Sequence, residues 1–185
     1  MQNKTKHLSI GFFCSSSEDL ADIFHLEMRR LVKALAPLRP EVVYGGGRMG
    51  LMGTLANAAL ESGLRVCGVL PTLFDRPEIH HDGLDENILV ADLFERKRTM
   101  LQRSDAFVIF PGGIGTLDEA LEVLCLAQIG ELRKPIYFYN PLDFWTTFFN
   151  FLDELREQRM ISQDMSSLYK VFASPEELMN HIKSR

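Results

Sequence analysis

The sequence predicts an α/β protein: a Rossmann-like, doubly wound, mostly parallel sheet of about seven strands flanked by helices, in one domain spanning residues 1–185. Three observations predict it. Short apolar runs alternate with longer segments of helical period. The runs are hydrophobic almost throughout rather than at every second residue, as in strands covered on both faces. Two glycine-rich turns stand where a strand should hand over to a helix.

The strands are expected at 8–13, 41–44, 65–70, 106–110 and 135–139, with two shorter ones at 88–90 and 169–172. The helices are marked by their ends. Ser15 with Glu18 reads as a capping box opening a helix that runs to about Leu35. A second helix covers 50–62 and closes on Gly63. Asp92 with Glu95, and Thr116 with Glu119, repeat the cap pattern. Ser174-Pro175-Glu176-Glu177 combines a cap, a first-turn proline and an acidic third position, so a helix follows it. Segment 141–156 carries Phe144, Trp145, Phe148, Phe149, Leu152 and Leu155 in a broad stripe. The stripe is expected to face the core, with room for part of it to touch a second subunit. The least regular stretch, 71–87, is the candidate functional loop.

Composition narrows the function. The chain has 185 residues, 46% hydrophobic and 24% charged, which suffices for a core without disulfides or metals. A formal net charge of −5 without a basic block argues against nucleic-acid or membrane-surface partners. Cys14, Cys67 and Cys125 each sit in an apolar stretch and are expected as buried thiols of a reducing compartment. The polar stretch 1–7 lacks the apolar core of a signal peptide, and no apolar run reaches the roughly 20 residues of a membrane span, so the cytoplasm is expected.

The chemistry is concentrated in the two glycine turns and the charged residues around them. The first is Gly45-Gly46-Gly47-Arg48-Met49-Gly50-Leu51-Met52-Gly53; the second is Pro111-Gly112-Gly113-Ile114-Gly115-Thr116-Leu117-Asp118-Glu119. Glycines at a strand-to-helix junction let backbone approach a phosphate, and the free N–H groups of the helix start supply donors. Neither turn ends in G-K-[ST], and the first strand runs into Cys14-Ser15-Ser16-Ser17 rather than a dinucleotide fingerprint. A single phosphate suits this pattern better than a triphosphate or a dinucleotide. Glu119, just inside the second turn, is either a helix-cap partner of Thr116 or the carboxylate that glycosidic-bond cleavage requires. Arg96 and Lys97 either snorkel to water or bring positive charge to an anion and hold that carboxylate. No metal-ligand spacing and no nucleophile elbow is present.

Taken together, these two glycine turns, with Glu95-Arg96-Lys97 and Met100 between them, closely resemble the LOG (Lonely Guy) family over residues 8 to 160. Its members are cytokinin riboside 5′-monophosphate phosphoribohydrolases, many of whose relatives carry the older label "lysine decarboxylase". The resemblance implies a cofactor-independent homodimer that splits a nucleoside 5′-monophosphate into free base and ribose 5-phosphate. It implies Arg96 and Glu119 as the catalytic pair. It also implies nucleotide contacts from Glu78, Lys97, Gly112, Gly113, Ile114, Gly115, Thr116, Leu117, Asp118 and Cys125, with Ser15, Ser16, Gly46 and Gly47 completing the phosphate site. The chain departs from the family at Ile114, where an aromatic is common in plant members, at Cys125, where a hydroxyl residue is frequent, and at Ser15, where glycine is usual. AMP and a cytokinin nucleotide are therefore equal expectations. The alternative from another class is a non-catalytic nucleotide or molybdenum-cofactor carrier of the same fold, which would not need Glu119 and Arg96 together. Amino-acid decarboxylation would need a pyridoxal phosphate lysine with a companion signature, which is missing.

Overall fold

The structure, a computed structural model, describes residues 7–161 and 165–185. The expectation for residues 1–6 lies outside them. The described chain forms β1 (Ser9–Phe13), α1 (Asp22–Leu35), β2 (Glu41–Tyr44), α2 (Gly50–Glu61), β3 (Val66–Pro71), β4 (Glu86–Val90), α3 (Leu93–Arg103), β5 (Ala106–Ile109), α4 (Ile114–Gln128), β6 (Ile136–Tyr139), α5 (Thr146–Glu157), β7 (Lys170–Phe172) and α6 (Pro175–Lys183). The strands make one parallel sheet in the order β4-β3-β2-β1-β5-β6-β7. The chain winds outward in one direction from β1 through β4, then returns to β5 and winds the other way. The switch point, between β1 and β5, is where an open α/β sheet parts its loops and leaves a crevice.

Side-chain alternation in the strands explains why they are apolar throughout. Ile10, Phe12, Val42, Tyr44, Val66 and Val108 pack with α1, α2 and α6 on one face. Phe13, Val43, Cys67, Val69, Phe107 and Ile109 pack with α3, α4 and α5 on the other. In the five central strands both faces are covered, so neither parity of residue meets water, whereas the edge strands β4 and β7 leave Leu89 and Val171 exposed.

Two helix starts differ from the sequence reading, and a third keeps its expected cap with the reciprocal bond shifted by one residue. The first helix begins at Asp22, after an Ala21 with no side-chain cap, so Ser15 and Glu18 are not its capping box. Ser15 lies in the loop after β1, where its Oγ accepts from the Ser17 N–H (3.1 Å). The fourth begins at Ile114 behind Gly113, so Thr116 is inside the first turn and buried rather than a cap. In the third, Asp92 does accept from the Glu95 N–H (2.8 Å), but Glu95 Oε2 takes the Ala91 N–H (2.7 Å), one residue before the cap. Ser174 caps α6 as expected. The aromatic stripe mostly turns inward: Trp145 is buried, and Phe148 and Phe149 pack around Phe138. Phe144 and Phe151 stay exposed. Cys14 and Cys67 are buried thiols, but Cys125 is exposed, because it lies on the face of α4 turned away from the sheet.

Candidate active site

The loops leaving β1, β2 and β5 converge at the switch point. The Ser15 N–H donates to the Pro111 carbonyl (3.3 Å), and the Ser15 carbonyl accepts from Leu51 (3.0 Å) and Met52 (3.3 Å) at the start of α2. Ser15 is thus a three-way tie between β1, the first glycine turn and the second. Loop 71–85 is tied to the first turn as well: Arg48 N–H donates to the Ile79 carbonyl (2.8 Å) and His81 N–H to the Gly46 carbonyl (3.2 Å).

These ties separate the two glycine turns in function. The first spends its donors on protein acceptors, so Gly46 and Gly47, both buried, shape the backbone instead of lining the cleft. At the second turn the Leu117 N–H is the first to close back, onto the Gly113 carbonyl (2.9 Å). Among the described residues no protein acceptor meets the N–H groups of Ile114, Gly115 and Thr116. Open donors at a helix start favour an anion there. Gly112 is required beneath it, since a Cβ there would collide with Thr116 and come within 3.0 Å of the Ser15 nitrogen.

The cleft above this helix start has a volume of about 370 Å³. Gly113, Ile114, Gly115, Thr116, Asp118 and Glu119 line it from α4, Leu93, Arg96 and Lys97 from α3, Cys14, Ser15, Ser16 and Ser17 from β1 and its loop, and Met52 from α2. Of the residues predicted for the site, Arg96, Lys97, Glu119, Ser15 and Ser16 are therefore together. Glu78 is exposed on the 71–85 loop, Leu117 packs against the core, and Cys125 points outward; none of these lines the cleft. Cys14, Ser17, Met52 and Leu93 line it without having been singled out. The end of β1 at the switch point is the signal that finds Cys14 and Ser17.

Glu119 is 8% exposed, and Arg96 Nη2 lies 3.5 Å from its Oε1. Burial lifts the Glu119 carboxyl to about 7, with Arg96 opposing and Asp118 adding to the rise. Arg96 Nε is buried without a partner among the described residues. Gly45 makes room for this guanidinium, because a Cβ at that position would run into Arg96 Nη2. Lys97 is engaged by Asp118 (3.0 Å) and Glu122 (2.9 Å). Desolvation pulls its ammonium down, but those carboxylates outweigh it and hold the lysine charged, the opposite of what Schiff-base chemistry needs. Burial, reinforced by the charge of Glu119, pushes the Cys14 thiol far up and keeps it neutral.

Fold and cleft define an open α/β protein with a helix start whose N–H groups are open, beside a buried carboxylate–guanidinium pair. Residues 52–182 match the family described as possible lysine decarboxylase. The chain is 33% identical over 184 residues to a probable cytokinin riboside 5′-monophosphate phosphoribohydrolase of Oryza sativa subsp. japonica, covering 100% of this chain and 73% of that one. It is 36% identical over 155 residues to the cytokinin riboside 5′-monophosphate phosphoribohydrolase of Rhodococcoides fascians, covering 83% and 78%. Against LOG5 of Arabidopsis thaliana, of the same name, it is 34% identical over 182 residues, covering 98% and 79%. The chain belongs to this LOG family. Its fold is shared by a molybdenum cofactor binding protein from Rippkaea orientalis (TM-score 0.74, 19% identity, 97% and 98% of the two chains). The molybdenum cofactor carrier protein of Chlamydomonas reinhardtii shares it too (0.73, 23%, 97% and 98%).

Proposed function

We propose that this chain hydrolyses the N-glycosidic bond of a nucleoside 5′-monophosphate, AMP or an N6-substituted adenine nucleotide, giving free base and ribose 5-phosphate. The observation that carries the reading is the arrangement of α4. Its open N–H groups at Ile114, Gly115 and Thr116 and its buried Glu119 face one cleft, in front of Arg96. From Gly115 to Glu119 the helix rises about 6 Å, the scale of one ribose with its phosphomethyl arm.

The phosphate sits on the helix start, with the Thr116 hydroxyl as a further donor. That anchor places C1′ beside Glu119, so binding energy far from the reacting bond becomes orientation at it. As the bond to the base lengthens, positive charge develops on the ribosyl ring, and the Glu119 carboxylate faces it and directs a water onto C1′. Arg96 holds the carboxylate in place and balances the charge. These steps use the chain's own residues and no cofactor. Every site role named here, including nucleotide contacts by Lys97, Asp118, Ser15 and Ser16, belongs to this proposal.

The same reading makes the chain a cytoplasmic homodimer. The fold buries Cys14 and Cys67 as free thiols, and no described helix is long and apolar enough to cross a membrane. Ile114, Leu121 and Cys125 leave an exposed apolar stripe along α4, with Ile129 just beyond its end, and Leu93 and Phe94 are exposed on α3. The stripe supports a second copy docking there, which would place Cys125 at the interface.

The test is incubation with AMP and with isopentenyl-adenosine monophosphate, followed by chromatography of free base and measurement of ribose 5-phosphate. One equivalent of each product from either nucleotide is expected. No base from either would overturn the reading.

A further inference from the structure

Glu122 lies one turn beyond Glu119 on α4, and no feature of its sequence context singled it out. Its Oε2 is 2.9 Å from Lys97 Nζ, and Asp118, four residues earlier, places Oδ2 3.0 Å from the same nitrogen. The Lys97 side chain is only 13% exposed, and its ammonium also stands 5.6 Å from the centre of the Phe94 ring. Among the described residues, the ion pairs joining α3 to α4 are these two and Arg96–Glu119. Arg96 and Lys97 are consecutive, so the anchor and the reactive pair are one backbone step, about 3.8 Å, apart.

We propose that Glu122, acting through Lys97, is a positioning residue that fixes α3 against α4 and so sets where Arg96 meets Glu119. Its consequence for rate rests on the hydrolase reading; its geometry does not.

Two observations favour Glu122 over Asp118 as the anchor. Asp118 has a side chain 60% exposed against 33% for Glu122, so its pairing is weakened more by water. Glu122 also sits three residues after Glu119, on a neighbouring part of the same helix surface. The charged and titratable groups facing Glu119 are Arg96 and Lys97 from α3, Asp118 and Glu122 from its own helix, and the Cys14 thiol from β1. Glu122 disfavours the ionised form of Glu119, and Lys97 favours it. Removing the Glu122 charge therefore leaves Lys97 less neutralised and moves the Glu119 titration to lower pH. That shift is a through-space effect of charge and does not report position; a substitution that keeps the charge and shortens the reach does, because displacing Arg96 removes the charge that opposes the rise of Glu119.

The experiment uses the full chain with Glu122→Gln, which keeps shape and removes charge, and Glu122→Asp, which keeps charge and shortens the reach. Displacement of a reacting group by about 1 Å costs up to roughly 10²-fold in rate. In Glu122→Gln, kcat is expected to fall at least about tenfold with KM within about threefold. Added to Glu119→Gln, the same substitution should change residual kcat less than about twofold, because its route to the reaction is gone. Glu122→Asp should lower kcat and move the Glu119 titration, followed by ¹³C NMR, to higher pH as Arg96 loses its place, and it serves alone should the Gln variant not fold. Unchanged kcat in Glu122→Gln, an unmoved Glu119 titration in Glu122→Asp, or equal losses with and without Glu119, would overturn the proposal. A wild-type protein that cleaves no nucleoside monophosphate would refute the hydrolase reading instead, while the titration comparison still decides the role of Glu122.

Discussion

Replacing Glu119 with glutamine should make this protein more stable and nearly inactive, with the stability gain growing as pH rises. The carboxyl moves from its ordinary 4.5 to about 7 because the fold removes it from water. At about 1.4 kcal/mol per pH unit, that rise disfavours the ionised form in the fold by about 3 kcal/mol. The sign follows from proton binding. Below 4.5 both folded and unfolded chains carry a protonated Glu119 and the variant gains nothing. Between 4.5 and about 7 the unfolded chain has lost the proton while the folded one keeps it, so wild-type stability falls with pH. Above about 7 the difference levels off. Glutamine resembles the protonated acid and has no such fall. For a chain of this length, about 3 kcal/mol corresponds to about 6 to 12 °C in Tm.

The assay is urea unfolding of both proteins, without ligand, at pH 4, 5, 6, 7 and 8. Subtracting one curve from the other cancels every titration the two proteins share. A difference that stays within about 0.5 kcal/mol across that range, or that favours wild type at pH 8, would refute the claim that Glu119 is buried against its own charge. In the activity assay, wild-type kcat/KM should rise with pH through about 7, because the ionised carboxylate is the working form, while the folded glutamine variant loses about 10²–10⁴-fold.

Gly45→Ala puts a methyl group into the space of the Arg96 guanidinium, so activity should drop toward that of Arg96→Ala while circular dichroism stays native; unchanged kcat would show that the pair tolerates displacement. AMP should be cleaved far better than adenosine or ATP, and Thr116→Val should raise KM for AMP with stability changed by about 1 kcal/mol or less; equal cleavage of adenosine would sink the role of the α4 helix start. Leu121→Glu, on the exposed stripe of α4, should convert a dimer to a monomer in sedimentation equilibrium, and a wild type already monomeric at micromolar concentration would dispose of the proposed interface.

Much of this was legible in the sequence because the relevant signals are local. All seven strands lie within two residues of their apolar runs, since a strand buried on both faces leaves few polar letters to confuse the reading. Ser174 and Asp92 announced their helices because those caps are exposed and have nothing else to do. The failures are at the switch point. Ser15 and Thr116 have the letters of helix caps, but their groups serve a convergence of three loops that are distant in sequence. Spacing along one chain cannot show that the Ser15 carbonyl closes α2 or that Gly45 clears a path for Arg96, because both depend on the sheet bringing β1, β2 and β5 side by side. Glu78 and Cys125, expected at the site from the family resemblance, do not line the cleft: a matching motif position does not fix the side of an element from which a side chain projects.

The proposed function gives the arrangement at α4 a physical reason. A helix gains nothing from a buried acid in its second turn, and a chain of ordinary stability, roughly 5–15 kcal/mol, gives up a sizeable part of it by ionising Glu119 at neutral pH. Arg96 relieves this incompletely, at 3.5 Å and with its Nε unpartnered. One turn away the N–H groups of Ile114, Gly115 and Thr116 also lack protein acceptors among the described residues. Two opposite deficits therefore share one cleft: donors short of an anion, and a desolvated carboxylate short of a positive charge. A nucleoside 5′-monophosphate supplies the first with its phosphate as soon as it binds. It supplies the second only as its glycosidic bond breaks and the ribosyl ring becomes cationic. Under the proposed reading, stabilisation of Glu119 is thus withheld from the bound substrate and granted to the transition state, which is the condition for a buried charge to raise kcat rather than affinity alone.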